Sequence, residues 1–250
     1  MPLGLKILIK FSKNVGYSKF IRFFLKYIWR NIISIPFMPY FINKIRTLDL
    51  KEKEKILSFT YVFGYGLIQP IQKPNELKNL IKIIDDQKPK IIMEIGTASG
   101  GMLFLFSRFA RRNANLISID LPRGKFGGGY SRFRIPLYKA FAIDKQKIFL
   151  LREDSHNKNT VDKVKKLLNK REIDFLFIDG DHTYKGVKKD FEMYQHFVKK
   201  NGLIAFHDII SSNVNIEVDK FWNEIKSQYN YFEIINDQNQ KWGGIGIIKK

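Results

Sequence analysis

At 250 residues, with 44% hydrophobic and 27% charged positions, the chain is long enough for one full α/β domain plus a modest extension, and too apolar to be disordered throughout. The absence of cysteine excludes disulfides and thiolate metal sites and points to a reducing, cytoplasmic compartment. A balance of 44 Lys and Arg against 24 Asp and Glu gives a formal charge of +20, which favours anionic partners such as nucleic acid, an anionic membrane surface or acidic glycan and lipid substrates.

The charge is unevenly spread. Residues 1–48 contain no Asp or Glu but carry Lys6, Lys10, Lys13, Lys19, Arg22, Lys26, Arg30, Lys44 and Arg46. Ser18 is placed to cap a helix in which Lys19, Arg22, Lys26 and Arg30 form one basic stripe, with Phe20, Phe23, Phe24, Tyr27, Ile28 and Trp29 filling the rest of its surface. That composition suits a segment lying on the inner face of a membrane. Charges interrupt it too often for a spanning helix, and Pro36 and Pro39 follow. No small-residue cleavage pattern follows either, so a signal peptide is not expected. A helical arm on the globular domain, or a homo-oligomer contact, fits the same pattern, and these roles stay open. Residues 1–60 are therefore expected to be a basic amphipathic extension and 61–250 the domain proper.

Residues 57–71 are aromatic and interrupted by glycine, with Pro70 and Pro74 leading into the domain. Asn75 is placed to cap a helix running to about Asp86. The spacing then predicts strands over 90–95, 115–120, 147–151, 173–179 and 203–208. Helices are predicted over 101–111, near 137–141, and over 160–169, 186–199 and 218–227. Two last strands, 231–235 and 244–248, are expected to pair antiparallel. Nearly all-apolar strands separated by helices imply a mostly parallel sheet covered on both faces.

The strand ends carry the chemistry. KIIMEIGTASGG (90–101) is an apolar strand that ends on Glu94 and breaks into a glycine turn. A dinucleotide fingerprint needs a glycine where Ala98 stands, and the charge of Glu94 would repel phosphate, so a nicotinamide oxidoreductase is disfavoured. An acidic strand end beside an open turn suits a cationic, phosphate-free ligand such as S-adenosylmethionine. Asp120 falls about twenty residues beyond the turn, the spacing of a carboxylate that receives ribose hydroxyls. Asp154, Ser155 and His156 follow the third strand. Asp179, Gly180, Asp181 and His182 follow the fourth, and His207 and Asp208 end the fifth. Any one of these acids alone suits a turn or a helix cap; gathered on one edge they point to a site.

EIGTASGG, SIDLP, EDSH, FIDGDHTYKGVKKDF and GLIAFHDI, in this order, resemble the class I S-adenosylmethionine-dependent methyltransferases. The resemblance is to the branch with an IDGDH-type fourth strand, common among O-methyltransferases, and it covers residues 71–250. It implies a Rossmann-like methyltransferase fold, a mostly parallel seven-stranded sheet closed by an antiparallel hairpin. It also implies that Glu94, Gly96, Thr97 and Gly100 hold the methionine part of the cofactor. Asp120 would take the ribose, with Asp154 and Ser155 flanking the adenine; Asp179 adjoins the cofactor site. Asp179 and Asp208 stand where metal-dependent relatives keep carboxylate ligands for Mg²⁺ or Mn²⁺. His207 replaces a second acid or amide there, which shifts the metal preference.

The expected reaction is methyl transfer to a hydroxyl of a small molecule, sugar or glycan, with His182 or Asp181 accepting the proton. Two other classes stay open. A nucleic-acid methyltransferase draws on the charge but is disfavoured, because Asp179-Gly180-Asp181-His182 occupies the place of an Asn/Asp-Pro-Pro-aromatic sequence. A non-catalytic, membrane-docked interaction protein would keep the fold alone.

Overall fold

The computed structural model describes residues 21, 24–26, 28–124, 126, 129–237 and 239–250. Ser18, the expected cap, and Lys19 and Arg22 of the expected basic stripe lie outside these residues, while Lys26 and Arg30 lie within them. A tight π-type turn over Trp29–Ile33 leads into helix α1 (Met38–Arg46), which starts with Pro39 in its first turn. Helix α2 (Lys53–Val62) and helix α3 (Pro74–Gln87) follow. Asn75 does not cap α3. Pro74 opens the helix, where its missing N–H costs nothing, and the Asn75 amide donates instead to Asn236 at 2.6 Å.

From there strand and helix alternate. β1 (Ile91–Ile95), α4 (Gly101–Phe109), β2 (Asn115–Ile119), α5 (Ile135–Lys139), β3 (Lys147–Leu151), α6 (Lys158–Leu168), β4 (Ile173–Ile178), α7 (Tyr184–Tyr194), β5 (Val198–Ser211) and α8 (Val218–Ile225) lead to β6 (Asn230–Ile234) and β7 (Trp242–Lys249). The seven strands form one sheet in the order β3-β2-β1-β4-β5-β7-β6. β1 to β5 are parallel; β7 runs antiparallel between β5 and β6, the reversed hairpin expected from the sequence.

Two boundaries moved. Thr183 caps α7 by accepting the Gly186 amide, so that helix begins earlier than the apolar period indicated. It also ends earlier, because Val198 already pairs with Ile173 as the start of β5. A register irregularity separates that first pair from Phe175 and Leu203, so the strand has two parts, of which the apolar pattern revealed the second.

Both faces of the sheet are covered, which is why its strands read as unbroken apolar runs. Alternate residues go to opposite layers. Ile92, Leu116, Phe175 and Phe177 pack with α3, α4 and α5 residues such as Leu80, Phe106 and Tyr138, and with Met38, Phe41 and Ile56 from the two helices before them. Met93, Ile95, Ile117, Leu176 and Ile178 pack on the other side with Val164, Phe191, Phe221 and Trp222. Truncating a fully buried ring such as Phe177 to Ala would cost about 3–5 kcal/mol. That rigid double layer fixes where the strand ends emerge.

Candidate active site

Strand order reverses between β1 and β4, since β2 and β3 extend the sheet on one side of β1 and β4 begins the other. Ligands of open α/β sheets bind at the carboxyl ends of the strands at such a point. Register makes the edge. Ile119, Ile95, Ile178 and Phe206 lie in one row across β2, β1, β4 and β5. The residues that follow them are Asp120, Gly96, Asp179 and His207, so two carboxylates, a glycine turn and an imidazole leave the sheet side by side. A cleft of about 290 Å³ opens above them. Gly96, Thr97, Asp120, Asp154, Ser155, Asp179, Asp181, His182, His207 and Asp208 all line it.

Glu94 and Gly100 are not in that lining. Gly100, at φ +82°, sits under the Tyr138 ring, where an added Cβ would fall 2.6 Å from a ring carbon. Gly96, at φ +96°, lets the turn approach β4 so closely that a Cβ would lie 2.0 Å from the Asp179 carbonyl oxygen. Glu94 is buried beneath the turn, with the Ser118 and Thr97 hydroxyls beside it and no well-formed hydrogen bond to either carboxylate oxygen. Burial, reinforced by the charges of Asp120 and Asp179, pushes its pKa up to about 8. A buried carboxylate without well-formed hydrogen bonds is costly until a cation or donor reaches its surroundings, which fits a ligand carrying ammonium and sulfonium groups.

Asp120 ties the turn to the next loop. Its Oδ2 accepts from the Ala98 amide at 2.9 Å and its Oδ1 from the Gly129 amide at 3.0 Å, and each oxygen keeps a further lone pair. Burial outweighs these amides and raises its pKa to about 6. Asp154 accepts the His156 amide at 2.8 Å, while the Ser155 carbonyl accepts from the Tyr194 hydroxyl at 2.7 Å.

The other half of the cleft is a network of acids and imidazoles. Asp179 accepts from the Gln72 amide nitrogen at 2.5 Å and lies 3.1 Å from His207 Nδ1. His207 Nδ1 also stands 3.4 Å from Asp208 Oδ1, and His182 Nδ1 is 3.0 Å from Asp208 Oδ2. Asp208 itself has φ +63°, a conformation unusual for a side-chain-bearing residue, at an irregularity in the β5–β7 pairing that turns its carboxylate into the cleft. Burial disfavours charge on both histidines, but the neighbouring carboxylates prevail and hold His182 and His207 above the ordinary imidazole range. Burial likewise opposes charge on Asp208, and the two imidazoles overcome it and hold its pKa far below the usual value. Asp179, His182 and Asp208 each offer a donor atom, all within 4.8 Å of one another. His207 faces this group through Nδ1, while its buried Nε2 has no partner. Asp181 is engaged otherwise: its Oδ1 accepts from the Thr183 amide at 2.9 Å and hydroxyl at 2.8 Å, bracing the start of α7.

Three contributors were not visible as site residues in the sequence. Gln72 comes from the segment before α3 and is almost fully buried against Asp179. Phe126 meets the His182 ring edge-on at 4.9 Å. Tyr138 donates to the Ala98 carbonyl at 3.0 Å and itself receives a hydrogen bond from Arg134 at 3.1 Å. Arg134 also donates to the Arg30 carbonyl at 3.0 Å, so the N-terminal segment is joined to the glycine turn. A polar residue just before Lys73-Pro74, where the chain turns back onto the sheet, was the available signal for Gln72.

Comparison with known proteins agrees with this architecture. Residues 93–209 match the family model described as a methyltransferase domain. A curated relative, an uncharacterized protein (R132) of Acanthamoeba polyphaga mimivirus, is 35% identical over 156 residues; the match covers 62% of this chain and 63% of the relative's length. Among solved structures, an O-methyltransferase from Bacillus cereus in complex with S-adenosylhomocysteine superposes with a TM-score of 0.54 at 16% identity, covering 83% of this chain and 96% of that one. The O-methyltransferase TomG from Streptomyces achromogenes, in complex with S-adenosylmethionine, gives 0.52 at 13% identity over 89% and 97% of the two chains. Residues 93–209 match a methyltransferase-domain model, and they sit in a Rossmann-like fold that superposes on solved S-adenosylmethionine-dependent methyltransferases.

Proposed function

We propose that this protein transfers a methyl group from S-adenosylmethionine to a hydroxyl of a small molecule, sugar or glycan. The observation that carries the reading is the His182–Asp208 pair, standing in the same cleft as the glycine turn and Asp120. Bound there, S-adenosylmethionine supplies an electrophilic sulfonium methyl carbon. The backbone of Gly96 and Thr97 holds the methionine part; Gly100, packed under Tyr138, shapes the turn, and Glu94 beneath it ionises once the cationic ligand arrives. Asp120 receives the ribose hydroxyls through its spare lone pairs, and Asp154 and Ser155 flank the adenine.

His182 does the proton work. Donation from Nδ1 to Asp208 fixes the tautomer and leaves the Nε2 lone pair free to accept a hydroxyl proton from the acceptor substrate. The oxygen then forms its bond to carbon as the carbon–sulfur bond breaks, and the thioether leaves. Asp208 stabilises the imidazolium that results. Phe126, against the His182 ring, keeps water from its face. Asp181, already committed to Thr183, serves this role less well.

A second reading, metal assistance, is favoured by the convergence of Asp179, His182 and Asp208. Two carboxylates and an imidazole suit Mn²⁺, Fe²⁺ or Zn²⁺ better than Mg²⁺, and such an ion would lower the acceptor hydroxyl's pKa. In that case His207, close to both carboxylates, orients the ligands.

Calorimetric titration with S-adenosylmethionine, followed by a search for products carrying its labelled methyl group, tests the proposal. Folded protein that binds no donor, and behaves the same after Asp120→Ala, would sink it. Turnover unchanged by chelation and by added divalent ions would remove the metal reading alone.

A further inference from the structure

Helix α1 is apolar on two sides, and among the described residues the core packs against one of them. Met38, Phe41 and Ile45 face the core, whereas Tyr40 on the same helix is 58% exposed and Phe37, at its N-cap, is 52% exposed. Phe37, Tyr40 and Lys44 follow one another at three- and four-residue spacing, so one outward stripe runs through these three. Lys44 reaches over the Tyr40 ring at 5.6 Å. Behind this face Tyr40 meets the core ring of Phe41, Phe41 meets Trp29, and Trp29 meets Tyr65, which ties the helix to the turn at 63–66.

The patch is held in place. Trp29 donates to the Gly64 carbonyl at 2.6 Å and Arg30 to the Gly66 carbonyl, at 3.0 Å from Nε and 2.7 Å from an Nη nitrogen. Large exposed rings fixed by their neighbours, with lysines and arginines around them, have the character of a surface that dips into a lipid headgroup layer. Among the described residues no helix is long and apolar enough to cross a membrane. The chemistry of the surroundings selects the partner. Lys26, Lys44 and Arg46 are exposed, and residues 1–48 contain no acid at all. A second copy docking through the same face would oppose like charges. An anionic surface would meet complementary ones.

We infer that the outward face of α1, carrying Phe37, Tyr40 and Lys44, docks this protein on an anionic lipid bilayer, its aromatic rings entering the headgroup region and Lys44 pairing with lipid phosphates. This surface is separate from the methyl-transfer cleft and does not depend on the chemistry proposed there.

The test is co-sedimentation of the full chain with phosphatidylcholine vesicles, with and without phosphatidylglycerol. The wild-type chain binds the phosphatidylglycerol vesicles, more weakly as salt rises, and binds the neutral ones poorly. Phe37→Ser combined with Tyr40→Ser lowers the association constant by roughly tenfold or more. Lys44→Glu lowers it by roughly tenfold. These side chains are exposed, so unchanged thermal melting and unchanged S-adenosylmethionine affinity accompany the loss. Equal binding to both vesicle types, or variants that bind as the wild type does, overturns the proposal. It is also overturned if vesicles are ignored and the same substitutions instead abolish a concentration-dependent dimer seen by light scattering. Vesicle binding is read without methyl donor or acceptor, so its failure leaves the methyl-transfer proposal standing, and the reverse holds too.

Discussion

Gln72 and Asp179 are 107 positions apart in the chain, and the Gln72 amide nitrogen donates to Asp179 Oδ2 at 2.5 Å. Together with His207 Nδ1 on the other carboxylate oxygen, this bond fixes Asp179 from both sides. Gln72→Leu keeps the volume and removes the donor. We expect turnover to fall by roughly tenfold or more with donor affinity unchanged, because a hydrogen bond to a charged, part-buried group is lost. Steady-state kinetics beside calorimetry decide it; wild-type turnover in Gln72→Leu would refute the positioning role.

His182→Asn removes the proton acceptor and leaves the cleft otherwise intact. Turnover should drop by about 10²–10⁴-fold, with S-adenosylmethionine still binding. The pH profile has a definite sign. His182 must be neutral to accept a proton, and the Asp208 bond holds its pKa above the usual 6.5. Wild-type rate should therefore climb as pH rises through a value above 6.5. A rate already flat at pH 6.5 would count against His182 as the base.

Glu94 should make the ligand-free protein less stable in alkali. Its native pKa of about 8 lies above the ordinary 4.5, so between those values the folded form keeps a proton that the unfolded chain has released. Stability then declines as pH rises through that window and levels off above it. Glu94→Gln removes the decline: at about pH 8 the variant should exceed the wild type by on the order of a few kcal/mol, and near pH 5 by little. Its donor affinity should fall by roughly tenfold, since a charge facing a cationic ligand is gone. Denaturant melts at the two pH values provide the check, and a gap independent of pH would contradict it.

Asp174 gives the opposite slope at the far end of the sheet. Burial alone would raise its pKa. An ion pair with Lys199 and the amides of Ile91 and Lys90, at 2.8 and 2.7 Å, prevail and lower it. Its contribution is present above the ordinary carboxylate value and is lost as pH falls through the depressed native one. Asp174→Asn should destabilise the protein by about 1–3 kcal/mol at neutral pH, with the difference closing in acid. Melting curves that stay equally separated down to about pH 2 would exclude this account.

Much of the site was legible because a parallel strand buried on both faces leaves little room for charge except at its ends. Glu94, Asp120, Asp179, His207 and Asp208 each end or follow an apolar run, and register then sets the ends of all five parallel strands in one row. The pairing of His182 with Asp208 was not legible. It depends on the irregularity that gives Asp208 a positive φ, and no residue pattern announces that turn. Gln72 was hidden for a similar reason: a glutamine in a loop carries no periodicity, and its partner is named only by how the segment before α3 folds back.

By itself the sequence determined the strand order along the chain, the two-sided burial of the sheet and the edge on which its polar ends gather, because local periodicity and hydrophobic burial act within one element at a time. The tertiary structure alone decided which of those polar groups touch. It set Asp181 to bracing a helix, gave His182 its carboxylate, and joined Arg30 through Arg134 and Tyr138 to the glycine turn. Hydrogen bonds form over about 3 Å, and that distance between remote residues is settled only when the layers pack.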